Sequence, residues 1–224
     1  CTHCLVNSSP TGERGLPTEQ LRRLIDELAD LGVTRFYFTG GEPFLRKDIF
    51  DLIDYVTSAK QAELIILTNA TTFRAQSLKR LGECDRRLLK LQVSIDGATP
   101  ETNDAIRGKG AFAASTEGLR RAGELGFDTS LTTVIAARNA HELLRLTELA
   151  KQLGAKAQHL MWLHKRGRVM EGNDSWFLSA TQVIDAVREV KRRADELGVI
   201  VDNYESLKLR VNGRPRLKYD LGNQ

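Results

Sequence analysis

The sequence predicts an α/β fold built on a parallel sheet. Short apolar runs and amphipathic helical stretches alternate along most of the 224 residues, giving five strands in five strand–helix units. Repeated units of this kind produce parallel strands joined by right-handed crossovers. A chain of this length can bury one sizeable core, and α/β barrels of this size often form a single domain.

The first half of the chain supplies one helix and then two of these units. Thr18 is expected to cap an amphipathic helix that ends at Gly32, and a strand over 34–38 and a helix over 47–59 follow. The continuous apolar run over 64–67 is typical of a strand buried on both faces, and a helix over 73–82 comes next.

The second half continues the alternation. Its predicted elements are a strand over 89–95, a turn at Gly97, a helix over 111–125, a strand over 129–135, a helix over 140–153, a strand over 156–162 and a helix over 180–197. The segment 199–224 begins like a strand and becomes irregular. We expect residues 1–198 to form the core domain and residues 199–224 to bridge to a further C-terminal region.

Composition is that of a soluble globular protein, with 41% hydrophobic and 28% charged residues. No apolar run reaches the roughly 18 residues of a membrane span, so no membrane association is expected. The formal charge of +4 is small, and the basic runs at 165–168 and 191–193 are short. The chain therefore lacks the clustered basic signal of a nucleic-acid binder.

Cys1 and Cys4 form a CxxC pair, which indicates metal or redox chemistry in a reducing compartment such as the cytoplasm. A three-residue step lets two thiolates bind one iron–sulfur cluster. Zinc would need two more ligands, and the remaining candidates are isolated: Cys84, His141, His159 and His164. A thioredoxin-type pair would open a helix directly, whereas a polar loop follows here.

Residues 39–43, with the sequence TGGEP, follow the strand predicted over 34–38. The carboxyl ends of strands carry the sites of α/β barrels. Gly40 and Gly41 allow a ligand to approach the backbone, Glu42 can accept a hydrogen bond from an ammonium group, and Pro43 fixes the direction of the chain. The alternative is a tight strand-to-helix turn with an exposed Glu42.

Together, the CxxC pair and Gly40-Gly41-Glu42-Pro43 resemble the radical S-adenosylmethionine (SAM) superfamily. Its members carry CxxxCxxC after the first strand and GGEP after the second. Cys1 and Cys4 match the second and third cysteines, and the first would precede Cys1. The resemblance implies a partial (β/α)6 TIM-like barrel whose first strand lies upstream, a [4Fe–4S] cluster held by Cys1 and Cys4, and SAM bound at the GGEP segment.

Two later segments are similar to the SPASM/twitch-type peptide-modifying subgroup. Thr68 and Asn69 match the subgroup's TNG turn, with Ala70 in place of glycine. The run from Val93 to Gly97, followed by Arg107 and Phe112, resembles its SIDG…R…GxF signature. The resemblance implies that SAM contacts Thr68, Asn69, Ser94, Arg107, Trp162 and His3. In the same comparison Asp96 is expected to be only a turn former, and Cys84 a buried apolar residue.

The resemblance implies an enzyme that reductively cleaves SAM to a 5′-deoxyadenosyl radical, which abstracts hydrogen from a substrate. The implied partners are a peptide substrate, which the basic run 165–168 could help to bind, and an electron donor such as ferredoxin or flavodoxin. No catalytic side chain is assigned. Two alternatives stay open: a radical SAM enzyme of cofactor or tetrapyrrole biosynthesis, and a cluster-free barrel that serves as a binding module.

Overall fold

A computed structural model describes residues 1–9, 15–171 and 174–211. Six strands form one sheet in chain order, and every neighbouring pair is parallel. The strands are β1 (Arg35–Phe38), β2 (Glu63–Thr68), β3 (Leu89–Ser94), β4 (Asp128–Ile135), β5 (Ala157–Trp162) and β6 (Ile200–Val201). The predicted α/β class is confirmed.

Helices lie before, between and after the strands. They are α1 (Thr18–Asp30), α2 (Ile49–Asp54), α3 (Ala75–Glu83), α4 (Pro100–Arg107), α5 (Ala111–Glu124), α6 (Leu143–Gln152), α7 (Ala180–Leu197) and α8 (Tyr204–Val211). A π-helical turn over Tyr55–Ala59 extends α2, and short 3₁₀ turns cover Pro43–Leu45, Ala140–Glu142, Gly167–Glu171 and Asp174–Trp176. In the described parts of the chain, none of the helices combines the length and the apolar character needed to cross a membrane.

Three local details differ from the sequence-based expectation. Helix α1 begins at Thr18 itself, whose hydroxyl donates to Asp48, so Thr18 does not cap the helix. Helix α4 was not predicted, although Thr99 caps it and Pro100 opens it. The strand-like start expected for the segment 199–224 is present as β6, which pairs with β5, so the sheet extends past the expected domain boundary at residue 198. The assignment of that segment as a bridge stays a prediction, and residues 212–224 lie outside the described residues.

The two faces of the sheet have different chemistry. The outer face packs against the helices and carries side chains that are almost completely buried: Leu64, Ile66, Leu89, Leu91, Val93, Leu131 and Leu160. Because side chains alternate along a strand, the residues between them point to the opposite, inner face. That inner face is rich in polar residues, among them Gln92, Ser94, Ser130, Thr132 and His159.

Candidate functional site

A cavity of about 470 Å³ lies at the carboxyl ends of the strands. It is bordered by the N-terminal residues, the turn after β1, the ends of β2, β3 and β5, and the end of α4. Every candidate residue named from the sequence lines it except Pro43: Cys1, His3, Cys4, Gly40, Gly41, Glu42, Thr68, Asn69, Ser94, Arg107 and Trp162. Pro43 opens the 3₁₀ turn beside Glu42. The structure thus brings the predicted segments to one place.

Residues 1–9 form the cysteine loop, which is held on two sides. On one side, both the backbone N–H and the hydroxyl of Thr2 donate to the carbonyl of Ile106 in α4, at 2.9 and 3.0 Å. On the other side, the backbone N–H of Arg168 donates to the Cys4 carbonyl at 3.0 Å. The Arg168 guanidinium donates to the carbonyls of Cys1, at 2.9 Å, and Ser8. Arg168 is therefore used to hold the loop.

Gly167 lies where the turn after β5 packs against the cysteine loop. It has a φ of +63°, and a Cβ at this position would lie 2.1 Å from the Cys4 carbonyl oxygen and 2.6 Å from that of Leu5. Only glycine fits there without moving the loop. The sequence showed the Arg-Gly-Arg run at 166–168, but nothing in it indicated that the run docks against Cys4.

The three thiols differ in environment. Cys1 is exposed, Cys4 is half-buried and Cys84 is buried. Burial raises the pKa of Cys4, but hydrogen bonds from Ser8 and Val6 and the charge of Arg168 outweigh it, so the pKa is lower than usual. The Ser8 N–H donates to Cys4 Sγ at 3.3 Å. Burial raises the pKa of Cys84 to about 12.

These environments suit Cys1 and Cys4 as cluster ligands. Metals bind the thiolate form, which Cys4 adopts more readily than an ordinary cysteine and Cys84 far less readily. Across residues 1–9, 15–171 and 174–211, no group of three or more His, Cys, Asp or Glu side chains could hold a metal ion. The donor set here is therefore the pair of thiols, which fits two of the three cysteine ligands of an iron–sulfur site.

We expect the thiols of the metal-free protein to react with maleimide in two classes at pH 8. Cys1 and Cys4 should be labelled rapidly, and Cys84 only after denaturation, because its thiolate is scarce and its side chain is buried. Intact mass measured over time would count the labels, with Cys84→Ala as the reference for two-site labelling. Labelling of native Cys84 as fast as Cys4 would contradict the placement of Cys84 in the core.

Glu42 joins the turn after β1 to the end of β2. Its Oε1 accepts from the Thr68 hydroxyl at 2.6 Å and from the Phe44 N–H at 3.2 Å. Its Oε2 accepts from the Asn69 N–H at 2.7 Å. Burial raises the pKa of Glu42, although these hydrogen bonds oppose the rise. The alternative of an exposed Glu42 is wrong: the carboxylate is largely enclosed, and it shapes the cavity wall.

The turn after β2 is held by α5. Ala70 has a φ of +55°, a conformation that glycine adopts more easily. The Ser115 hydroxyl donates to the Asn69 carbonyl at 2.6 Å. A Cβ at Gly118 would lie 2.6 Å from the Ala70 carbonyl oxygen, so the helix and the turn are in direct backbone contact. Thr68 and Asn69 are thereby fixed at the cavity edge.

Asp96 connects three parts of the site, a role that the sequence reading missed. Its side chain is fully buried, and its Oδ2 lies 2.7 Å from Arg107 Nε and 3.2 Å from His3 Nε2. Its Oδ1 accepts from the Val134 N–H at 2.8 Å. The carboxylate thus joins the cysteine loop, α4 and β4, and it holds the Arg107 guanidinium at the cavity.

Asp96→Asn should lower the free energy of unfolding by about 3 kcal/mol, because the Arg107 guanidinium would lose its buried counter-ion. SAM affinity should fall with it, since Arg107 would no longer be held in place. Urea denaturation and calorimetry would measure the two effects. Asp85→Asn is a matched control, because its partner Arg87 is exposed and ion pairs at the surface contribute little to stability. Equal losses in both variants would contradict the role of Asp96.

Ser94 and Trp162 complete the cavity wall. Ser94 ends β3, and within the described ranges its hydroxyl forms no hydrogen bond, so it is available to a ligand. Trp162 ends β5 with 7% of its surface exposed, and it belongs to the main core as well as to the cavity lining. Its indole therefore offers the cavity a fixed apolar edge.

Comparison with known proteins identifies a family and several relatives that this chain resembles. Residues 1–150 match the radical SAM superfamily. The chain is 35% identical over 178 residues to an AdoMet-dependent heme synthase of Methanosarcina barkeri, covering 78% of this chain and 50% of that protein. It is 34% identical over 177 residues to the mycofactocin maturase MftC of Mycolicibacterium smegmatis, covering 79% of this chain and 43% of that protein.

A solved structure shows the same fold. The structure of Streptococcus suis SuiB bound to the precursor peptide SuiA superposes with a TM-score of 0.75 at 14% identity, over 90% of this chain and 44% of that one. This likeness confirms the partial TIM-like barrel. The chain spans about half the length of the curated relatives it matches. By the match over residues 1–150 and the identity to curated members, the chain belongs to the radical SAM superfamily.

Proposed function

We propose that this chain is the catalytic core of a radical SAM enzyme that modifies a peptide. The observation that carries the proposal is the cavity at the strand ends, which collects two cysteine thiols, a glycine turn, an unpartnered hydroxyl and a guanidinium. A reduced [4Fe–4S] cluster bound there would supply the electron that cleaves SAM to a 5′-deoxyadenosyl radical, the species that abstracts hydrogen from substrate.

The roles of the side chains follow from their positions in the cavity. Cys1 and Cys4 are the proposed thiolate ligands of the cluster. Gly40 and Gly41 leave the backbone open to the amino group of SAM, while Arg107 attracts its carboxylate and Ser94 hydrogen-bonds to its carboxylate or ribose. Trp162 packs against the adenine, and His3 lies against the cofactor from the cysteine loop. Glu42, Thr68 and Asn69 keep the wall in shape.

The proposal includes partners outside the chain. The electron would come from a reduced carrier such as ferredoxin or flavodoxin, and the reduced thiols are compatible with the cytoplasm. Support for a peptide substrate comes from the mycofactocin maturase relative and from the fold shared with SuiB. The heme synthase relative supports tetrapyrrole chemistry as the second candidate.

An anaerobic assay of the full-length protein tests the proposal. Iron and sulfide analysis should show a cluster, which a cluster-free binding module would lack. Reduced protein should release 5′-deoxyadenosine from SAM, and mass spectrometry should show a change in the short peptide encoded beside the enzyme. If 5′-deoxyadenosine forms but only coproporphyrin III is changed, the tetrapyrrole function replaces the peptide function.

Gly41→Val should weaken SAM binding about tenfold or more while keeping the fold. A Cβ at Gly41 would lie 3.4 Å from Ser8 Cβ, so two further methyl groups must enter either the cysteine loop or the cavity. Calorimetry with SAM on the cluster-loaded protein would measure the affinity. Gly123→Val is the control, because the nearest atom to its Cβ is 4.0 Å away and far from the cavity. Unchanged affinity in Gly41→Val would mean that this turn does not touch SAM.

A further inference from the structure

Arg168 lies against the segment that carries both proposed cluster ligands. Its Nη1 donates to the Cys1 carbonyl at 2.9 Å, and its Nη2 donates to the Ser8 carbonyl. Its own backbone N–H donates to the Cys4 carbonyl at 3.0 Å. The guanidinium therefore spans the cysteine loop from Cys1 to Ser8, and it also lines the cavity.

The partners of the Arg168 guanidinium are neutral. Both of its hydrogen bonds end on backbone carbonyl oxygens, and within the described side chains no carboxylate forms an ion pair with it. Of the described residues that line the cavity, Glu42 alone has a carboxylate, and its oxygens accept from the Thr68 hydroxyl and from two backbone N–H groups. In that part of the chain, Arg168 thus brings a positive charge to the cysteine loop that no carboxylate offsets.

Arg107, the other arginine in the described cavity lining, is arranged differently. Its Nε lies 2.7 Å from Asp96 Oδ2, and the two side chains have only 9% and 1% of their surface exposed. The opposite charges of this buried pair largely cancel at a distance. Of the two guanidinium groups, Arg168 is therefore the one whose charge acts on its surroundings.

The charge of Arg168 reaches the thiols. Burial raises the pKa of Cys4, and hydrogen bonds from Ser8 and Val6 lower it. The positive charge of Arg168 lowers the same pKa further. A cation that favours a thiolate over a thiol also favours any further negative charge at the same place. Arg168 is half-buried, so water and salt screen its charge only in part.

Reduction places such a negative charge at this site. In the proposed function, one electron passes from a low-potential redox protein to the [4Fe–4S] cluster, so the carrier is oxidised and the site gains one negative charge. Net charge, hydrogen bonds and solvent exposure set the reduction potential of iron–sulfur clusters. A fixed cation on the ligand loop raises that potential, because it stabilises the reduced state more than the oxidised state.

We propose that the positive charge of Arg168 raises the reduction potential of the cluster at Cys1 and Cys4, in addition to fixing the cysteine loop. This inference rests on the proposed function, because it concerns the cluster of the same site. Arg168 is a positioning residue that itself takes up neither a proton nor an electron. Its charge lets a weaker reductant supply the electron that SAM cleavage needs.

Arg168→Gln tests the inference in the full-length protein after anaerobic reconstitution. The change removes the charge but leaves an amide that can donate a hydrogen bond. The equilibrium constant for reduction should fall about three- to tenfold, the size expected for one partly screened charge, which is a potential about 30–60 mV lower for one electron. A redox titration followed by electron paramagnetic resonance would measure it. The reduced fraction is normalised to the cluster present, so a lower cluster content does not alter the readout.

Two control variants separate the charge from the hydrogen bonds. Arg168→Lys keeps the charge but loses the planar fork of donors, so it should load less cluster and titrate at the wild-type potential. Arg166→Gln removes a positive charge two residues away, from a side chain that is exposed and does not line the cavity. It should keep both the cluster content and the potential of the wild type.

A second pair of variants covers a failure of Arg168→Gln to load any cluster. Leu5 directly follows Cys4, lines the cavity and is 44% exposed. Leu5→Glu adds an anion to the cysteine loop and leaves the backbone carbonyls that bind Arg168 in place, whereas Leu5→Gln has the same shape without the charge. The potential of Leu5→Glu should lie below that of Leu5→Gln, and equal potentials would overturn the inference.

The outcomes separate the inference from the function on which it rests. If the wild type binds no cluster or does not cleave SAM, the proposed function fails. If both activities are intact but Arg168→Gln titrates at the wild-type potential, the charge of Arg168 does not set the potential. If Arg168→Lys and Arg168→Gln shift the potential equally, the effect comes from the shape of the loop, and the inference is again overturned.

Discussion

Gly167→Ala should lower the cluster content of the purified protein about 10- to 100-fold while leaving the barrel folded. Losses of about this size in metal affinity follow when the contacts that support a metal ligand are removed. The added Cβ would lie 2.1 Å from the Cys4 carbonyl oxygen, which is far too short for a contact between non-bonded carbon and oxygen atoms. The cysteine loop must therefore move. That movement also breaks the hydrogen bond from the Arg168 N–H to the Cys4 carbonyl. Iron and sulfide analysis after anaerobic reconstitution would measure the loss.

Gly154→Ala separates this clash from backbone strain. Gly154 has a φ of +74°, close to the +63° of Gly167, but a Cβ there would meet nothing within 4 Å. Both variants should lose about 1–2 kcal/mol of stability from the left-handed conformation. Only Gly167→Ala should lose the cluster. Wild-type cluster content in Gly167→Ala would show that the cysteine loop is not fixed by the turn after β5.

Cys4→Ala and Cys1→Ala should each reduce the iron–sulfur absorbance to background in the full-length protein. Each substitution removes one of the two thiolates of the CxxC pair, and cysteine thiolates are the ligands that hold an iron–sulfur cluster. Cys84→Ala should keep the full absorbance, because Cys84 is buried in the core and its pKa of about 12 keeps the thiol protonated.

The Cys84→Ala variant also reports on the fold. It removes a sulfur atom from the core and should lower stability modestly, whereas Cys1→Ala and Cys4→Ala should leave the melting temperature of the metal-free protein nearly unchanged. Retention of the cluster in Cys4→Ala would overturn the assignment of the CxxC pair. Loss of the cluster in Cys84→Ala, with the fold intact, would point to a different ligand set.

The sequence predicted the parts of this protein that depend on local patterns. The five longer strands follow from apolar periodicity, and the cavity-lining turn at Gly40 follows from a short motif at a strand end. Helix α4 carried readable signals, with Thr99 as its cap and Pro100 at its first position. It was missed because a helix of eight residues offers little periodicity. Strand β6 has only two residues, and it coincides with the strand-like start that the sequence indicates for the segment 199–224.

Long-range contacts could not be predicted from the sequence. The sequence predicts only a turn former at Asp96, because nothing near it in the chain shows that His3 and Arg107 converge on its carboxylate. The sequence places Arg168 in a basic run that could bind substrate, yet its guanidinium donates to the carbonyls of Cys1 and Ser8. Such roles arise only when the closing sheet brings distant segments together.

The hydrogen bonds from Arg168 to the cysteine loop have a consequence for biosynthesis. The hydrogen bond from Arg168 to the Cys1 carbonyl joins residues 167 positions apart, so it forms only after most of the barrel has left the ribosome. Contacts of such high sequence separation form late, because the entropy of closing the intervening loop must first be overcome. Until then the thiols of Cys1 and Cys4 sit on a loop without its native shape. We therefore expect iron–sulfur loading at Cys1 and Cys4 to follow completion of the barrel.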